Sequence, residues 1–204
     1  MAPAYKVSYF NITALGEPIR FLFSYGGIEF EDIRIEKEQW PQHKSKMPFG
    51  QMPVLEYNGK VAHQSLAICR YLAKQVKLVG KDDWEDLEID AAVDTVNDLR
   101  QKLGGYHYEA DEKIKKARGE ILFKETLPYY IEKLNAQAEK NGGHLACNRL
   151  TWADIFLAGL LQYMNFMAQK DITENAPALK KVYEQVCELP NIKKWLQNRP
   201  KTEI

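Results

Sequence analysis

Residues 52–68 of the chain are MPVLEYNGKVAHQSLAI, and this stretch decides the fold of the first half. Residues 54–57 and 60–63 have the composition of two short β-strands. The dipeptide Asn58-Gly59 between them accepts the positive φ angles of a type I′ turn, so the pattern predicts a hairpin. Ser65 is suited to cap the helix that follows. The apolar face of that helix consists of Ile68, Leu72 and Val76.

The residues before this hairpin predict a strand, a helix and a second strand. Residues 5–9 alternate as a strand does, with Val7 and Tyr9 on one face. A helix begins near residues 16–18, because proline is tolerated at the first helical position, and Gly26-Gly27 ends it. Ile33 and Ile35 mark the next strand. The predicted order is therefore βαβ followed by ββα, in which one strand returns parallel to the first.

The second half of the chain carries helical periods and almost no strand signal. The apolar spacing predicts helices near residues 84–105, 112–139, 151–168 and 176–188, with a short one after Pro190. At residues 151–154, threonine is followed three positions later by aspartate, which is the pattern of a capping box. Residues 78–83 form a predicted linker. We therefore place a mixed α/β domain at residues 1–79 and an all-helical domain at residues 80–204.

The composition is that of an ordinary globular protein without a charge bias. Basic residues number 28 and acidic residues number 28, so bulk attraction to nucleic acid or to an anionic membrane is not expected. No apolar run approaches the ~20 residues of a spanning helix. No secretory signal is visible at the N-terminus, which predicts a cytoplasmic protein. The three cysteines are far apart, so neither a disulfide framework nor a metal site is predicted.

Several sequence signatures of catalysis are missing. The chain has no Gly-rich phosphate loop, no Gly-x-Ser-x-Gly and no His-Glu-x-x-His. It has only four histidines, and no cysteine stands at the start of the first predicted helix. If the chain is an enzyme, its reactive nucleophile is therefore expected to belong to the substrate.

Gln64-Ser65 is the strongest local candidate for a binding site. The pair lies at a strand end and opens a helix, where free backbone N–H groups and the helix dipole suit an anion. A plain N-cap serine explains the same dipeptide. Met52-Pro53 precedes a strand, and its peptide bond is either an ordinary trans bond or a cis bond that exposes backbone groups to a ligand.

Other candidate residues have ordinary explanations when each is taken alone. Tyr9 fits a buried aromatic residue whose hydroxyl is bonded to a neighbour. Trp40 and Lys44 fit surface packing and a solvated charge. Three aspartates repeat every four residues along one helix face, which is solvated or faces a partner subunit, a cation or a ligand amine. They are Asp90, Asp94 and Asp98.

Taken together, four stretches of the chain resemble the cytosolic glutathione transferases, and the sigma class most closely. They occur in family-like order and spacing, and the resemblance covers essentially the whole chain. Residues 81–84 look like those of insect members. The four stretches are residues 5–11 (YKVSYFN), 47–56 (MPFGQMPVLE), 63–68 (HQSLAI) and 150–154 (LTWAD).

This resemblance implies a thioredoxin-like N-terminal domain, an all-helical C-terminal domain and a homodimer. Glutathione is the implied co-substrate, with no further cofactor and no metal. Tyr9 falls on the catalytic tyrosine, whose hydroxyl stabilises the glutathione thiolate. Asp98 matches an acidic residue that reaches the ligand of the neighbouring subunit. The other implied glutathione-binding residues are Trp40, Lys44, Gln51, Met52, Pro53, Gln64 and Ser65.

The resemblance also places a site for an electrophile between the two domains. Small hydrophobic electrophiles such as lipid-peroxidation enals or aryl halides are the expected second substrates. Each residue of the expected site could equally belong to an ordinary core. These residues are Phe10, Ile12, Leu15, Tyr106, Tyr108, Phe156, Leu160 and Ile204.

Three positions depart from the pattern of the sigma class. Leu15 stands where some members carry an arginine that supports the thiolate and a prostanoid substrate. Gln51 stands where those relatives carry lysine, and Asn97 replaces one acid of their cation cluster. Two alternatives stay open beside the transferase. One is a glutathione-dependent isomerase of the prostaglandin D synthase type, and the other is a non-enzymatic S-crystallin-like or carrier protein.

Overall fold

The structure is a computed structural model that describes residues 4–202 and 204. Residues 1–3 and 203, which belong to the two predicted domains, lie outside the described residues. The strands are β1 Tyr5–Phe10, β2 Phe30–Ile35, β3 Val54–Tyr57 and β4 Lys60–His63. The helices of the first half are α1 Glu17–Tyr25, α2 Trp40–Lys44 and α3 Ser65–Gln75. Those of the second half are α4 Asp83–His107, α5 Glu112–Ile121, α6 Leu127–Lys140, α7 Trp152–Ala168, α8 Pro177–Cys187 and α9 Pro190–Asn198.

The four strands form one mixed sheet in the order β2-β1-β3-β4. Strand β2 runs parallel to β1, whereas β3 is antiparallel to both β1 and β4. The β3–β4 turn has positive φ angles at Asn58 and Gly59, of 47° and 72°. This confirms the predicted hairpin, the βαβ-ββα order and the thioredoxin-like class of the first half.

The register of the sheet brings three strand ends together. Ser8 of β1 pairs with Val54 of β3, and Val54 in turn pairs with His63 of β4. Tyr9, Pro53 and Gln64 each lie one residue beyond these pairs. The three residues therefore meet at the same edge of the sheet, although 55 positions separate the first from the last.

The start of α3 differs from the prediction. Ser65 is not the N-cap but the first residue of the helix, and Gln64 occupies the cap position with φ 73° and ψ 113°. The reason is the length of the connection: β4 ends at His63, so Gln64 alone must turn the chain from strand to helix. No side chain caps the free N–H groups of the first turn.

The long helix predicted for residues 112–139 is interrupted in the structure. Residues Leu122–Thr126 form a π-helical turn between α5 and α6. Pro128 explains the interruption, because proline has no N–H to donate and its ring crowds the preceding helical turn. The remaining predicted helices, including the short one after Pro190, are confirmed within two residues at each end.

Helix α7 forms the centre of the core and joins the two halves of the chain. It packs against α1 and α4. Gly159 allows the closest approach, because a Cβ atom there would lie 2.8 Å from Cα of Pro18. The predicted capping box is present at the start of α7. The buried Asp154 carboxylate accepts hydrogen bonds from the N–H groups of Thr151 at 2.8 Å and Leu145 at 2.7 Å.

Replacing Asp154 with Ala should lower the free energy of unfolding by about 3 kcal/mol, because two buried N–H groups lose a charged acceptor. Urea unfolding followed by circular dichroism measures the loss. Asp82→Ala is the matched control, since Asp82 caps α4 through the N–H groups of Trp84 and Glu85 but is exposed. It should lose about 1 kcal/mol. Equal losses in the two variants would contradict the larger stabilising role assigned to the buried Asp154 carboxylate.

Candidate active site

A cavity of about 400 Å³ lies at the edge of the sheet where the three strand ends meet. One wall comes from the end of β1 and the loop that follows it, and another from the first residues of α2 and α3. The floor comes from the segment before β3. The lining residues are Phe10, Leu15, Trp40, Gly50, Gln51, Met52, Pro53, His63, Gln64 and Ser65.

Tyr9 is not itself a lining residue of this cavity, but it contacts two residues that are, Phe10 and Leu15. Only 5% of its surface is exposed, and its ring packs edge-on against Phe10, with the ring centres 5.7 Å apart. The N–H of Leu15 donates a hydrogen bond to the Tyr9 hydroxyl oxygen at 3.3 Å. Because this bond uses an oxygen lone pair, it leaves the hydroxyl hydrogen available to donate to another acceptor.

The environment of Tyr9 keeps its hydroxyl protonated. Burial raises the pKa of Tyr9 from 10.0 to about 12, although the Leu15 amide and the guanidinium groups of Arg20 and Arg100 act in the opposite direction. At neutral pH the side chain is therefore a hydrogen-bond donor and not a base. A donor in this position favours a ligand atom that carries negative charge.

The start of α3 forms the polar end of the cavity. Ser65 is 6% exposed, and Gln64 beside it is exposed. The N–H groups of the first helical turn have no partner within the helix, and the helix dipole places partial positive charge there. This end of the cavity is therefore suited to a carboxylate, as the sequence indicated.

The segment before β3 lines the cavity with four consecutive residues, 50–53. The Met52-Pro53 peptide bond is cis. Pro53 is buried, whereas Met52 is half-buried and Gln51 is exposed. These residues lie between Tyr9 and the start of α3, so a bound molecule could reach both ends while pairing with the main chain in the middle.

Trp40 and Lys44 lie at opposite ends of the short helix α2. The Trp40 ring stands edge-on to Phe10, with centres 5.3 Å apart, and closes one side of the cavity. Lys44 is exposed and its stem passes Gly50, where a Cβ atom would lie 3.3 Å from the Lys44 Cε atom. Its ammonium group is thus carried at the rim and not on the wall.

The residues predicted for the electrophile do not all lie together. Phe10 and Leu15 line the cavity, and Ile12 is half-buried in the same loop. Phe156 and Leu160, in contrast, have no exposed surface and belong to the core of α7. They are buried because Gly159 brings this part of α7 against α1.

Of the remaining predicted electrophile residues, Tyr106 and Tyr108 lie at the end of α4, whereas Ile204 lies elsewhere. Tyr108 is 62% exposed, and its hydroxyl lies 2.9 Å from that of Tyr163. Tyr106 is half-buried and packs edge-on against Phe123 at 5.1 Å. Ile204 lines a separate groove of about 600 Å³ between α7 and α9, and its carbonyl oxygen accepts a hydrogen bond from the Thr13 N–H at 2.9 Å.

The acidic stripe on α4 is only partly solvated. Asp90 accepts two hydrogen bonds from Nε of Arg70, both at 3.0 Å, whereas Asp94 and Asp98 are exposed. Asp98 does not line the cavity of its own chain. Within residues 4–202 and 204, no three His, Cys, Asp or Glu side chains converge as metal ligands would. No helix in that part of the chain has the length and apolarity needed to cross a membrane.

Four residues at the site were missed by sequence reasoning. Gly50 and His63 line the cavity, and both lie within the stretches that carry the family resemblance, although neither was named as a site residue. Tyr163 was missed because a tyrosine on an apolar helix gives no sign of its partner. Arg100 was missed as well, although it is oriented by Asn97, whose Oδ1 accepts from Nη2 of Arg100 at 2.7 Å.

Comparison with known proteins gives matches over nearly the whole chain. The family model "Glutathione S-transferase, N-terminal domain" matches residues 5–74, and "Glutathione S-transferase, C-terminal domain" matches residues 97–199. A "Glutathione S-transferase" of Anopheles gambiae is 50% identical over 202 residues, covering 99% of this chain and 100% of the relative. Human "Hematopoietic prostaglandin D synthase" is 36% identical over 205 residues, covering 99% and 100%. The solved structure of prostaglandin synthase D of Nilaparvata lugens has a TM-score of 0.94 at 46% identity, covering 98% and 100%.

Tyr9 should titrate with a pKa nearer to 12 than to 10. The phenolate absorbance of the native protein minus that of Tyr9→Phe isolates this one group. Because the unfolded state ionises first, the contribution of Tyr9 to stability is fully present below pH 10 and is lost as the pH rises toward 12. A difference curve centred at or below pH 10 would contradict the conclusion that burial raises the pKa of Tyr9.

Proposed function

The chain belongs to the glutathione S-transferase family of enzymes, and from that premise we propose that Tyr9 activates the thiol of bound glutathione. A free thiol has a pKa near 8.5 and is mostly protonated at neutral pH. A hydroxyl that donates a hydrogen bond to sulfur favours the thiolate, which is the nucleophile. Lowering the thiol pKa by two units takes about 2.7 kcal/mol, within the range of a charge-assisted hydrogen bond in a favourable field.

The observation that carries this proposal is the state of the Tyr9 hydroxyl. It is protonated at neutral pH, its oxygen already accepts from the Leu15 N–H, and it lies beside a cavity open to solvent. Its hydrogen is therefore the group left to interact with a ligand. A thiolate in the cavity supplies the acceptor that this hydrogen lacks.

We propose that glutathione spans the cavity with its three parts in separate places. The γ-glutamyl carboxylate takes the free N–H groups at Gln64 and Ser65, and the cysteinyl backbone pairs with the main chain around Met52-Pro53. The glycyl end lies toward Trp40 and Lys44, with Gln51 at the rim. Asp98 of a second subunit reaches the γ-glutamyl amine. The partial positive charge at the start of α3 and the position of Met52-Pro53 in the cavity support the first two placements, and the exposed Lys44 beside Gly50 supports the third.

The second substrate is proposed to be a small hydrophobic electrophile, such as a lipid-peroxidation enal or an aryl halide. Phe10 and Leu15 give the cavity mouth an apolar surface next to Tyr9. The paired hydroxyls of Tyr108 and Tyr163 supply polar handles for a carbonyl or hydroxyl group. The thiolate would attack a carbon held beside it, and positioning would supply much of the remaining rate.

A second candidate is a glutathione-dependent isomerase of the prostaglandin D synthase type. Names of relatives favour it, because human and planthopper proteins so named match this chain over almost its full length. Leu15 counts against it, since no cation stands at that position. Incubation with a prostaglandin endoperoxide and identification of the product distinguishes the two activities.

We further propose a sigma-class homodimer of the cytoplasm, with the boundary between the two domains at residues 79 and 80. Phe49 supports the dimer, because 83% of this large apolar side chain is exposed at the tip of a short turn. A groove of about 500 Å³ between α4 and α6 is lined by small residues that could receive such a ring. Among these are Ala91, Thr95 and Ala136.

Replacing Tyr9 with Phe should reduce conjugation of chlorodinitrobenzene at pH 7 by about 25-fold, since the thiol pKa returns from about 6.5 to its free value near 8.5 and the thiolate fraction falls accordingly. The rate should recover at high pH, where glutathione ionises unaided. Initial rates from pH 6 to 10 measure both effects. Tyr5→Phe is the control, because Tyr5 lies on the same strand but bonds to the Tyr71 hydroxyl instead. An unchanged neutral rate in the Tyr9 variant would overturn the mechanism.

Replacing Phe49 with Ser should convert the dimer to a monomer, because the substitution removes the apolar side chain proposed to enter the second copy. Sedimentation velocity measures the mass. The KM for glutathione should rise in parallel, as Asp98 of the neighbour is lost. Ile114→Ser, at a 46% exposed position on α5, should leave the dimer intact. A native chain that is monomeric at micromolar concentration would refute the dimer itself.

A further inference from the structure

Arg20 is a completely buried cation in the first helix, close to Tyr9. It has no exposed surface. Its Nε donates to Asp32 Oδ1 at 3.0 Å, and its Nη1 donates to the carbonyl oxygen of Ile12 at 2.7 Å and to Glu17 at 3.2 Å. Its Nη2 atom is buried and has no hydrogen-bond partner in the described part of the chain. A buried donor left in this state calls for an explanation beyond ion pairing.

Glu17 holds Arg20 in place from the opposite side. The Glu17 carboxylate is also buried, and its Oε1 accepts from Nε1 of Trp195 at 2.8 Å and from Nη1 of Arg199 at 2.6 Å. Both donors belong to the C-terminal part of the chain. The guanidinium of Arg20 is therefore fixed by α1, β2 and α9 together, and its planar donor geometry cannot be copied by a lysine.

Gly16 separates the Arg20 guanidinium from the Tyr9 ring. The Arg20 Cζ atom lies 6.0 Å from the centre of that ring, at the limit of a cation–π contact. A Cβ atom at position 16 would lie 2.6 Å from Cδ1 of Tyr9 and 3.2 Å from Cζ of Arg20. Only glycine leaves the space in which the ring and the cation approach each other.

We propose that Gly16 and Arg20 are positioning residues for Tyr9. Together they fix the position of the Tyr9 hydroxyl and the electrostatic field around it. The proposal rests on the proposed function, in which that hydroxyl donates to the glutathione thiolate. Arg20 holds the carbonyl of Ile12, and Gly16 packs on the Tyr9 ring. Leu15 lies between Ile12 and Gly16 in the chain, and its N–H donates a hydrogen bond to the Tyr9 hydroxyl oxygen. Moving either residue would therefore move the ring and its hydrogen-bond partner together.

The charges around Tyr9 come from two helices. From α1, the Arg20 cation favours negative charge at the hydroxyl, and from α4 Arg100 acts in the same direction while Tyr108 opposes it. Glu17 and Asp32 offset part of the Arg20 charge. Leu15 carries no charge, so among the described elements the cations that act on the Tyr9 hydroxyl are the guanidinium groups of Arg20 and Arg100.

Gly16→Ala is the sharper test, because it leaves every charge in place. The backbone at Gly16 has φ −78° and ψ −29°, which alanine adopts readily, so the backbone is unstrained and the added Cβ disturbs only its contacts with Tyr9 and Arg20. We expect kcat for chlorodinitrobenzene to fall about tenfold or more, since small displacements at a reacting centre are costly. The KM for glutathione should change by less than about twofold, because its contacts at α3 and at Met52 are elsewhere.

Gly105→Ala is the matched control, since a Cβ atom at that helical position meets nothing within 4 Å. The thiol pKa of bound glutathione, measured from thiolate absorbance, provides a readout that a general loss of packing would not move. It should rise in Gly16→Ala and stay unchanged in Gly105→Ala.

Arg20→Gln and Arg20→Lys separate charge from geometry. The glutamine variant should raise the pKa of the bound thiol by about one unit, so that the rate at pH 6.5 falls about fivefold. The lysine variant should show a smaller rise in the thiol pKa, because it keeps the positive charge but lacks the planar donor geometry of the guanidinium. If Arg20→Gln does not fold, Gly16→Ala still decides the question.

A native thiol pKa and native kcat in folded Gly16→Ala would overturn the proposal. So would equal shifts in Gly16→Ala and Gly105→Ala. Neither result would contradict the proposed function of Tyr9. That function would be contradicted instead by a Tyr9→Phe variant with the native rate at neutral pH.

Discussion

The hydrogen-bond ladder between β1, β3 and β4 is the constraint on which the site depends. Pairing of Ser8 with Val54, and of Val54 with His63, brings three distant strand ends to one edge. A slip of one residue in either pairing would turn Tyr9 or Gln64 to the other face of the sheet. The cavity, the free N–H groups of α3 and the buried hydroxyl are therefore consequences of one register. Helix α7 then holds this edge against the helical half by packing on α1.

Much of the fold could be predicted from the sequence, because its strongest signals are local. Asn58-Gly59 determines the turn without help from the rest of the chain. The apolar spacing of the long helices can be recognised in the sequence whichever way the helices pack. The exceptions arise where two elements meet. Ser65 has the chemistry of a cap, but the single-residue connection after β4 gives that position to Gln64. The π turn before Pro128 likewise reflects how a helix accommodates proline, which spacing alone does not reveal.

The candidate site was only partly predictable, for a related reason. Gln64-Ser65 stands out because it opens a helix directly after a strand, whereas Tyr9 taken alone fits an ordinary buried aromatic residue and is singled out only by the family resemblance. Phe156 was expected beside the cavity, yet an apolar residue with helical spacing suits a core equally well. The interactions of Arg20 were invisible, since its partners come from helix, loop and strand, and Glu17 is linked in turn to Arg199, 182 positions along the chain. Such networks become evident only when the tertiary structure is known.

The first turn of α3 has an evolutionary consequence. A carboxylate bound there is recognised by main-chain N–H groups, which every residue except proline possesses. In the proposed binding mode, side-chain substitutions around that turn therefore leave recognition of glutathione largely intact. The opposite rim includes the apolar residues Phe10 and Leu15, whose side chains differ in shape from any substitute, so single substitutions can reshape it. A gene duplicate of this chain could thus acquire a new electrophile without losing its thiol donor, so diversification of such duplicates should concentrate on one rim of the cavity.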